Sequence, residues 1–228
     1  MRGEYRDFTY SKVMCWVAVD RGLRLGKKFR LPMPDRKLWE INHARIHAAV
    51  VERGYSRGLE AFTQSFDSDE LDASALRLVQ LGFLPNRDPR LRSTIDAVNA
   101  GLSVGPLVYR YHAENTDDGF TTPEGSFIIC AFWLADALAI TGDLEQAQRR
   151  FERLLAFGSP LGVFAEEVDP TTGALLGNFP QAFSHLSLIS AAVNIERRRN
   201  NTLVRNRGTE AMTTRPRRRR SPPADTDH

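Results

Sequence analysis

The chain has 228 residues, of which 42% are hydrophobic, enough for one globular domain with a core. No apolar run reaches the roughly 18 residues that a membrane-spanning helix needs, and the N-terminus lacks the apolar stretch of a signal peptide, so we expect a cytoplasmic protein without a membrane partner. Arginine is concentrated after position 196, where the net charge is +7; the formal total of +3 therefore leaves about −4 for the rest, which argues against a polyanion-binding body.

Apolar residues recur at three- and four-residue spacings along most of the chain, which predicts an almost entirely helical protein. The gaps are short or rich in Gly and Pro, and no stretch alternates as a half-buried strand does. Asp72, Asp88 and Asp143 are expected to cap the helices that follow them, and Gly101 to close the helix before it. In chain order, the predicted helices are 10–25, 36–53, 56–64, 73–81, 89–101, 126–140, 144–157 and 180–198.

The C-terminal tail, residues 199–228, has a different composition. Its run 215–223 contains only Arg, Pro and Ser, which cannot bury enough apolar surface to offset the entropy of ordering, so we predict that the tail is disordered. A basic arm for nucleic acid is the alternative. No aromatic residues are interleaved and no binding fold is adjacent, so we favour a protein without a nucleic-acid partner.

Cys15 and Cys130 both stand in apolar helical stretches. Two cysteines make neither a disulfide framework nor a zinc site, so both are expected in the core as small apolar residues. We predict no metal site and no cofactor. Trp16, Trp133 and His185 are likewise expected to serve packing.

Two adjacent carboxylates, Glu166 and Glu167, stand in a loop punctuated by Gly and Pro. Loops on a rigid scaffold often carry catalytic groups, and a carboxylate can act as the general base of glycoside hydrolysis. Taken alone, the pair is more typical of solvated surface acids. The residues around it favour the catalytic interpretation.

The run FAEEVDPTTGALLGNFPQAFSHLSLI, residues 164–189, resembles the C-terminal signature of glycoside hydrolase family 15, the glucoamylases and bacterial trehalase-like enzymes. Each of the shorter motifs is weak, but they recur in this family in the same order, and the resemblance covers roughly residues 1 to 195. They are RGE with FTYSKVMCW (2–16), LDAS (71–74), GFLP (82–85), YRY (109–111), EGSF (124–127) and FWL (132–134).

The resemblance implies an all-α fold, the (α/α)6 toroid, in which six inner helices are surrounded by six outer ones. About eight of the twelve helices are visible in the sequence. We therefore expect residues 1–198 to form an incomplete toroid, the C-terminal part of the catalytic domain, followed by the tail 199–228. An incomplete ring should expose an apolar edge.

The resemblance also implies the roles of individual residues. Glu166 matches the general base of an inverting α-glucoside hydrolase, Glu167 is its neighbour in the substrate site, and Arg110 matches an arginine that hydrogen-bonds sugar hydroxyls. Glu124 either lines the pocket or caps the helix that follows it. The general acid of the family lies in a Trp-Glu-x-Arg-Gly segment whose x position falls on Met1, so we expect the acid just upstream of this chain.

The implied substrate is an α-glucoside, trehalose or a short α-glucan, and the isolated chain should be inactive without its acid. A separately encoded N-terminal half could complete the site in trans. Two other functions stay open: a non-catalytic helical interaction module, which sugar hydrolysis by the reconstituted protein would exclude, and a nucleic-acid binder acting through the tail, which predicts salt-sensitive DNA binding.

Overall fold

The computed structural model of the chain describes residues 5–112 and 125–213, with side chains up to position 201. Helices dominate this described part, and a 3₁₀ turn, Ala73–Leu76, leads directly into the third of them. The α-helices are α1 (Thr9–Phe29), α2 (Arg36–Arg53), α3 (Arg77–Leu81), α4 (Pro89–Leu102), α5 (Ile128–Thr141), α6 (Leu144–Leu155) and α7 (Ala182–Thr213).

Short antiparallel strands fill the connections between helices. They form the β1–β2 hairpin, the β3–β4 hairpin and a three-stranded sheet in the order β5-β6-β7. Each has only two residues, too few to give the alternating pattern by which a strand is recognised in a sequence, so the expectation of no strands is wrong. Their bounds are β1 (Tyr55–Ser56), β2 (Ala61–Phe62), β3 (Ser103–Val104), β4 (Leu107–Val108), β5 (Ser126–Phe127), β6 (Glu167–Val168) and β7 (Leu175–Leu176).

The described helices form two layers. In the inner layer α3 packs between α1 and α5, and α7 packs against α5. The outer helices alternate with the inner ones along the chain: α2 packs on α1, α4 on α5 and the 3₁₀ turn, and α6 on α5 and α7. Alternating inner and outer helices are the construction of an α/α toroid, so the predicted all-α, incomplete toroid is confirmed.

Helix α5 is the centre of the core. It carries ten buried residues, which lie on more than one face because neighbouring helices cover it on several sides. Phe132 of this helix is fully buried between the rings of Phe151 and Phe164, at centroid distances of 5.6 and 5.8 Å. The Phe164 contact links the core to the loop that contains Glu166.

The aspartates expected to cap helices do so. The Asp88 and Asp143 carboxylates accept hydrogen bonds from the backbone N–H groups two and three residues later, and Asp72 accepts one from the Ser74 N–H at 2.7 Å. Gly101 was expected to end α4, but the helix continues to Leu102. The chain leaves α4 in extended backbone, which needs no glycine.

The predicted helix 56–64 is wrong, because this stretch forms the β1–β2 hairpin. Tyr55, Leu59 and Phe62 have the spacing of a helix face. In the hairpin Tyr55 and Phe62 instead stand opposite each other, with ring centroids 5.1 Å apart. Glu60 has a φ of 50°, which a helix does not contain.

The expectation of two core cysteines holds for Cys130 but is wrong for Cys15, which is exposed. Cys15 stands on α1 between the exposed Met14 and the buried Trp16, and its side chain points about 100° away from that of Trp16. Trp133 of α5 is partly buried against the core. Apolar residues on both sides of α1 gave the sequence a core-like pattern, although only one side is covered in the described part.

Two apolar stripes are exposed, one on the first inner helix and one on the last. The α7 stripe consists of Phe183, Leu186, Ile189 and Val193, at helical spacing, and Phe183 is 63% exposed. The α1 stripe includes Met14, Ala18, Leu25 and Phe29, of which Phe29 is 60% exposed. These stripes match the apolar edge expected of an incomplete toroid.

Helix α7 passes through position 198, where the sequence suggested that the folded part ends, and reaches Thr213. Extending an existing helix requires no new nucleus. Disorder of the tail 199–228 stays a prediction. The division of the chain at 198 stays a prediction, and the run 215–223 lies outside the described residues.

Candidate functional site

The loops that lead into the inner helices are tied to one another at one end of the molecule. The Ala73 N–H, at the start of the 3₁₀ turn, donates to the Arg110 carbonyl at 2.8 Å. The Ile128 N–H, at the start of α5, donates to the Glu166 carbonyl at 3.1 Å. Segments far apart in sequence, which contain Arg110 and Glu166, therefore lie at the same end of the helix row.

Glu166 is held at three points. Its N–H donates to the Asn178 carbonyl at 3.0 Å, and its carbonyl accepts from Ile128. Its side-chain Oε2 accepts two further hydrogen bonds from Asn178, from the backbone N–H at 3.1 Å and from Nδ2 at 2.8 Å. One carboxylate oxygen is therefore oriented by two donors.

Gly177 makes this arrangement possible. Its φ is +70°, a conformation that residues with a Cβ rarely adopt. A Cβ at this position would lie 2.9 Å from both the Cβ and the Oε2 of Glu166. The Glu166 side chain thus lies directly against the backbone that follows strand β7, where only glycine leaves room.

Glu167 makes different contacts from its neighbour. It lies on β6, paired with Phe127 on one side and Leu176 on the other, and its Oε2 accepts a hydrogen bond from the Gly125 N–H at 2.7 Å. Successive side chains of extended backbone point to opposite faces, which is why the two carboxylates have separate partners. Glu124 precedes Gly125 and lies outside the described residues.

Arg110 is exposed and follows β4, which packs beside β5. Its guanidinium lies over the ring of Tyr111, 5.4 Å from the centroid. A cation on an aromatic face is held by the ring quadrupole while its N–H groups remain oriented outward. Arg110 is therefore brought to the same end as Glu166, through the strands β4, β5 and β6.

His185 packs in the first turns of α7, as expected. Its Nε2 accepts the Phe164 N–H at 3.3 Å, and its Nδ1 lies 2.8 Å from the Gln181 carbonyl. Nε2 can accept only without a proton, so Nδ1 carries the hydrogen and donates. His185 thus contacts the backbone through both ring nitrogens.

A polar groove of about 440 Å³ opens at the same end, beside the start of α1. An isolated bridge between Phe8 and Ser65 joins the two segments that border it. Charged side chains in its lining are already paired, as Arg53 is with Asp67 at 2.7 Å and Arg6 with Glu70 at 3.0 Å. The groove is lined by Tyr5, Arg6, Asp7, Arg53, Ser65, Phe66, Asp67 and Ser68.

Asn178 and Ser184 belong to the site but could not be identified from the sequence. Asn178 is twelve residues from Glu166, and only the β6–β7 hairpin brings the two together. Ser184 is fully buried and its hydroxyl donates to the Ala165 carbonyl at 2.7 Å. The Gly-Asn pair directly after β7 was the one available signal, since both residues favour tight turns.

Among the described residues, no helix is long and apolar enough to cross a membrane. The same residues contain no group of three His, Cys, Asp or Glu side chains arranged to hold a metal ion. The cytoplasmic location stays a prediction.

The sequence model of the glycosyl hydrolases family 15 matches residues 1–193. The chain belongs to this family. Similar proteins include the trehalase of Mycobacterium tuberculosis, 47% identical over 198 residues, which are 86% of this chain and 29% of the relative. The trehalase of Thermoplasma acidophilum is 36% identical over 195 residues, 86% of this chain and 33% of that protein. This family member thus spans about a third of the length of these curated relatives.

Solved structures show the same fold. A wild-type glycosidase matches with a TM-score of 0.68 at 22% identity, over 85% of this chain and 53% of its own. A bacterial glucoamylase complexed with acarbose also has a TM-score of 0.68, at 14% identity, over 83% of this chain and 33% of its own. At these identities the likeness concerns the fold alone.

Proposed function

We propose that this chain supplies the general-base half of an inverting α-glucoside hydrolase of trehalase or glucoamylase type, with Glu166 as the base. The observation that carries the proposal is the asymmetric environment of the Glu166 carboxylate in a member of a glycosyl hydrolase family. Oε2 is engaged by Asn178. Within the described part, Oε1 accepts no hydrogen bond, so it is the oxygen free to take a proton from water.

An inverting glycosidase needs two carboxyl groups about 6.5–9.5 Å apart, one to protonate the leaving oxygen and one to activate water on the opposite face of the sugar. Glu166 takes the second role. The acid comes from the Trp-Glu segment that the family carries ahead of the FTYSK run, upstream of Met1. The isolated chain therefore supplies the carboxylate that activates water but not the acid that protonates the leaving oxygen.

The sugar is held by the groups around Glu166. Arg110, oriented by Tyr111, donates to hydroxyls from one side. Glu124 directly precedes Gly125 in the sequence and lies outside the described residues, and the Glu167 bond to the Gly125 N–H joins the start of β5 to β6. Loss of Glu167 therefore disturbs the shape of the site, whereas loss of Glu166 removes the proton acceptor.

Trehalose is the first substrate to test, because the curated relatives reported above are trehalases, and short α-glucans are the second. The test compares this chain alone with the same chain extended to include the upstream Trp-Glu segment. The extended protein should hydrolyse the substrate with inversion at the anomeric carbon, seen by NMR of the first product. The chain alone should be at least about 10²-fold slower, the usual loss on removing a positioned acid.

Two substitutions in the extended protein assign the base. Glu166→Gln should lower kcat by about 10²- to 10⁴-fold, because the amide cannot accept the proton. Glu167→Gln removes the same charge from the same loop and keeps an acceptor for the Gly125 N–H, so it should be much milder. Equal losses from the two substitutions would remove Glu166 from the role of base.

A separate polypeptide could complete the site in trans. The exposed stripes on α1 and α7 border the two ends of the inner helix row, and a helical complement packed on them would bury Phe29 and Phe183. Co-expression with an N-terminal segment should give a stable complex with activity. Mixtures that remain separate on size-exclusion chromatography would argue against completion in trans.

The second candidate function is a non-catalytic helical interaction module. The same exposed stripes favour it, because large apolar patches on a protein surface mark contact sites. This candidate predicts a tight partner complex whose formation is indifferent to Glu166→Gln and whose members do not hydrolyse α-glucosides. Glu166-dependent hydrolysis by the extended protein would exclude it.

A further inference from the structure

The two residues that directly precede Glu166, Phe164 and Ala165, are held along their backbone by the first residues of α7 and by Gln181 just before it. The Gln181 N–H donates to the Phe164 carbonyl at 3.0 Å. The Ser184 hydroxyl donates to the Ala165 carbonyl at 2.7 Å, and the Phe164 N–H donates to His185 Nε2 at 3.3 Å. The N-terminal end of α7 thus holds the backbone of Phe164 and Ala165, directly before Glu166.

We propose that Ser184 and His185 are positioning residues that set the place and direction of the Glu166 carboxylate. The inference rests on the proposed role of Glu166 as the base. Neither residue touches the carboxylate. They act through the backbone of Phe164 and Ala165, the two residues directly before Glu166. A shift of this backbone would break its hydrogen bonds to Ser184 and His185.

Ser184 is suited to this role by its burial. It is fully buried, and its only acceptor among the described residues is the Ala165 carbonyl, so the hydroxyl has a single direction. A serine hydroxyl inside a helix more often bonds to the helix itself, as Ser187 does by donating to the Ser184 carbonyl at 2.8 Å. Ser184 instead reaches across to another segment.

The contacts of His185 determine which of its ring nitrogens donates and which accepts a hydrogen bond. With Nδ1 donating to the Gln181 carbonyl, Nε2 presents a lone pair to the Phe164 N–H. The Phe164 ring also packs edge-on against the imidazole, with centroids 5.7 Å apart. The histidine thus contacts both the backbone and the side chain of Phe164.

The first test uses this chain alone and needs no activity. Ser184→Ala should raise amide exchange at 164–166 about tenfold or more and shift the side-chain amide signal of Asn178, because its bond to Glu166 Oε2 loosens. Ser187→Ala is the matched control: it removes a buried hydroxyl from the same helix but no contact with the segment. If both variants change these signals equally, or neither does, the inference is wrong.

A second pair covers the case in which Ser184→Ala does not fold. His185→Gln keeps an acceptor at the place of Nε2, whereas His185→Leu removes it. The exchange at 164–166 should stay close to that of the parent in His185→Gln and increase in His185→Leu. Equal exchange in the two variants would overturn the positioning role of His185.

The extended protein separates this inference from the proposed function. Ser184→Ala should lower kcat about 10- to 100-fold with little change in KM, since a displaced base weakens chemistry more than sugar binding. Ser187→Ala should leave kcat within about twofold of the parent. If Glu166→Gln keeps full activity, the proposed function fails, while the exchange measurements on the chain alone still decide whether α7 positions the segment.

Discussion

Gly177 offers the sharpest test of how the Glu166 side chain is packed. Gly177→Ala places a Cβ 2.9 Å from the Cβ and Oε2 of Glu166, closer than real Cβ contacts come. Because the Cβ of Glu166 is fixed to its backbone, rotation of the carboxylate alone cannot relieve the contact. The segment must shift, and Oε2 must leave Asn178.

Gly173 provides a matched control in the same hairpin. Its φ of +75° is close to the +70° of Gly177, but a Cβ there would meet nothing within 4 Å. Gly173→Ala therefore carries only the strain of an L-residue in left-handed backbone, roughly 1–2 kcal/mol. Gly177→Ala carries the same strain plus the loss of two hydrogen bonds to a partly exposed carboxylate, about 1 kcal/mol more.

The measurement is urea unfolding of the chain, followed by circular dichroism, for the parent and the two variants. We expect a loss of about 1–2 kcal/mol for Gly173→Ala and about 2–3 kcal/mol for Gly177→Ala, with the same slope against urea. In the extended protein only Gly177→Ala should also lower kcat. Equal losses of stability in the two variants would show that the Glu166 side chain does not lie against Gly177.

Three further predictions concern the core and the exposed edge. Burial raises the pKa of Asp136 above its ordinary 3.8, although Ser190 and Asn194 donate to it. The contribution of Asp136 to stability is therefore full below pH 3.8 and is lost as the pH rises through its folded-state pKa. Over that range the free energy of unfolding of Asp136→Asn should rise relative to that of the parent. A difference between the two proteins that does not change with pH would contradict this. Phe132→Ala should lower the free energy of unfolding by about 3–5 kcal/mol, since the ring is fully buried, and a loss below about 1 kcal/mol would mean that the core is loosely packed. Leu186→Gln, on the exposed α7 stripe, should reduce binding of a hydrophobic dye without lowering the unfolding midpoint. Unchanged dye binding would show that the dye binds another apolar surface.

Six of the eight predicted helices appear as single α-helices, five of them close to their expected bounds, while α7 continues past 198 to Thr213. Strong three- and four-residue periodicity and aspartate caps, such as Asp88 and Asp143, are local signals that the sequence states fully. The segment 73–81 divides into a 3₁₀ turn and α3, and the segment 56–64 is a hairpin. The apolar spacing of the segment 56–64 suits a helix, whereas the cross-strand contact of Tyr55 with Phe62 forms only in the hairpin.

The sequence indicated some residues of the candidate site, Glu166 among them, but neither its other members nor the arrangement of its side chains. The family motif indicated Glu166, and the structure leaves its role as a proposal while showing how the carboxylate is held. The separate partners of Glu166 and Glu167 depend on which face of the extended backbone each side chain takes. Asn178 and Ser184 reach Glu166 and Ala165 only because the hairpin and α7 fold back onto the loop.

The sequence by itself determined the family, the helical character and the uneven charge of this protein, because these follow from composition, short-range spacing and motif order. Tertiary structure alone decided exposure and partnership. Cys15 and Trp16 are neighbours with similar apolar surroundings, yet one is exposed and the other buried, since only one side of α1 is covered in the described part. The direction of the Glu166 carboxylate likewise depends on contacts twelve and more residues away, and local sequence does not encode distances between segments that meet only after folding.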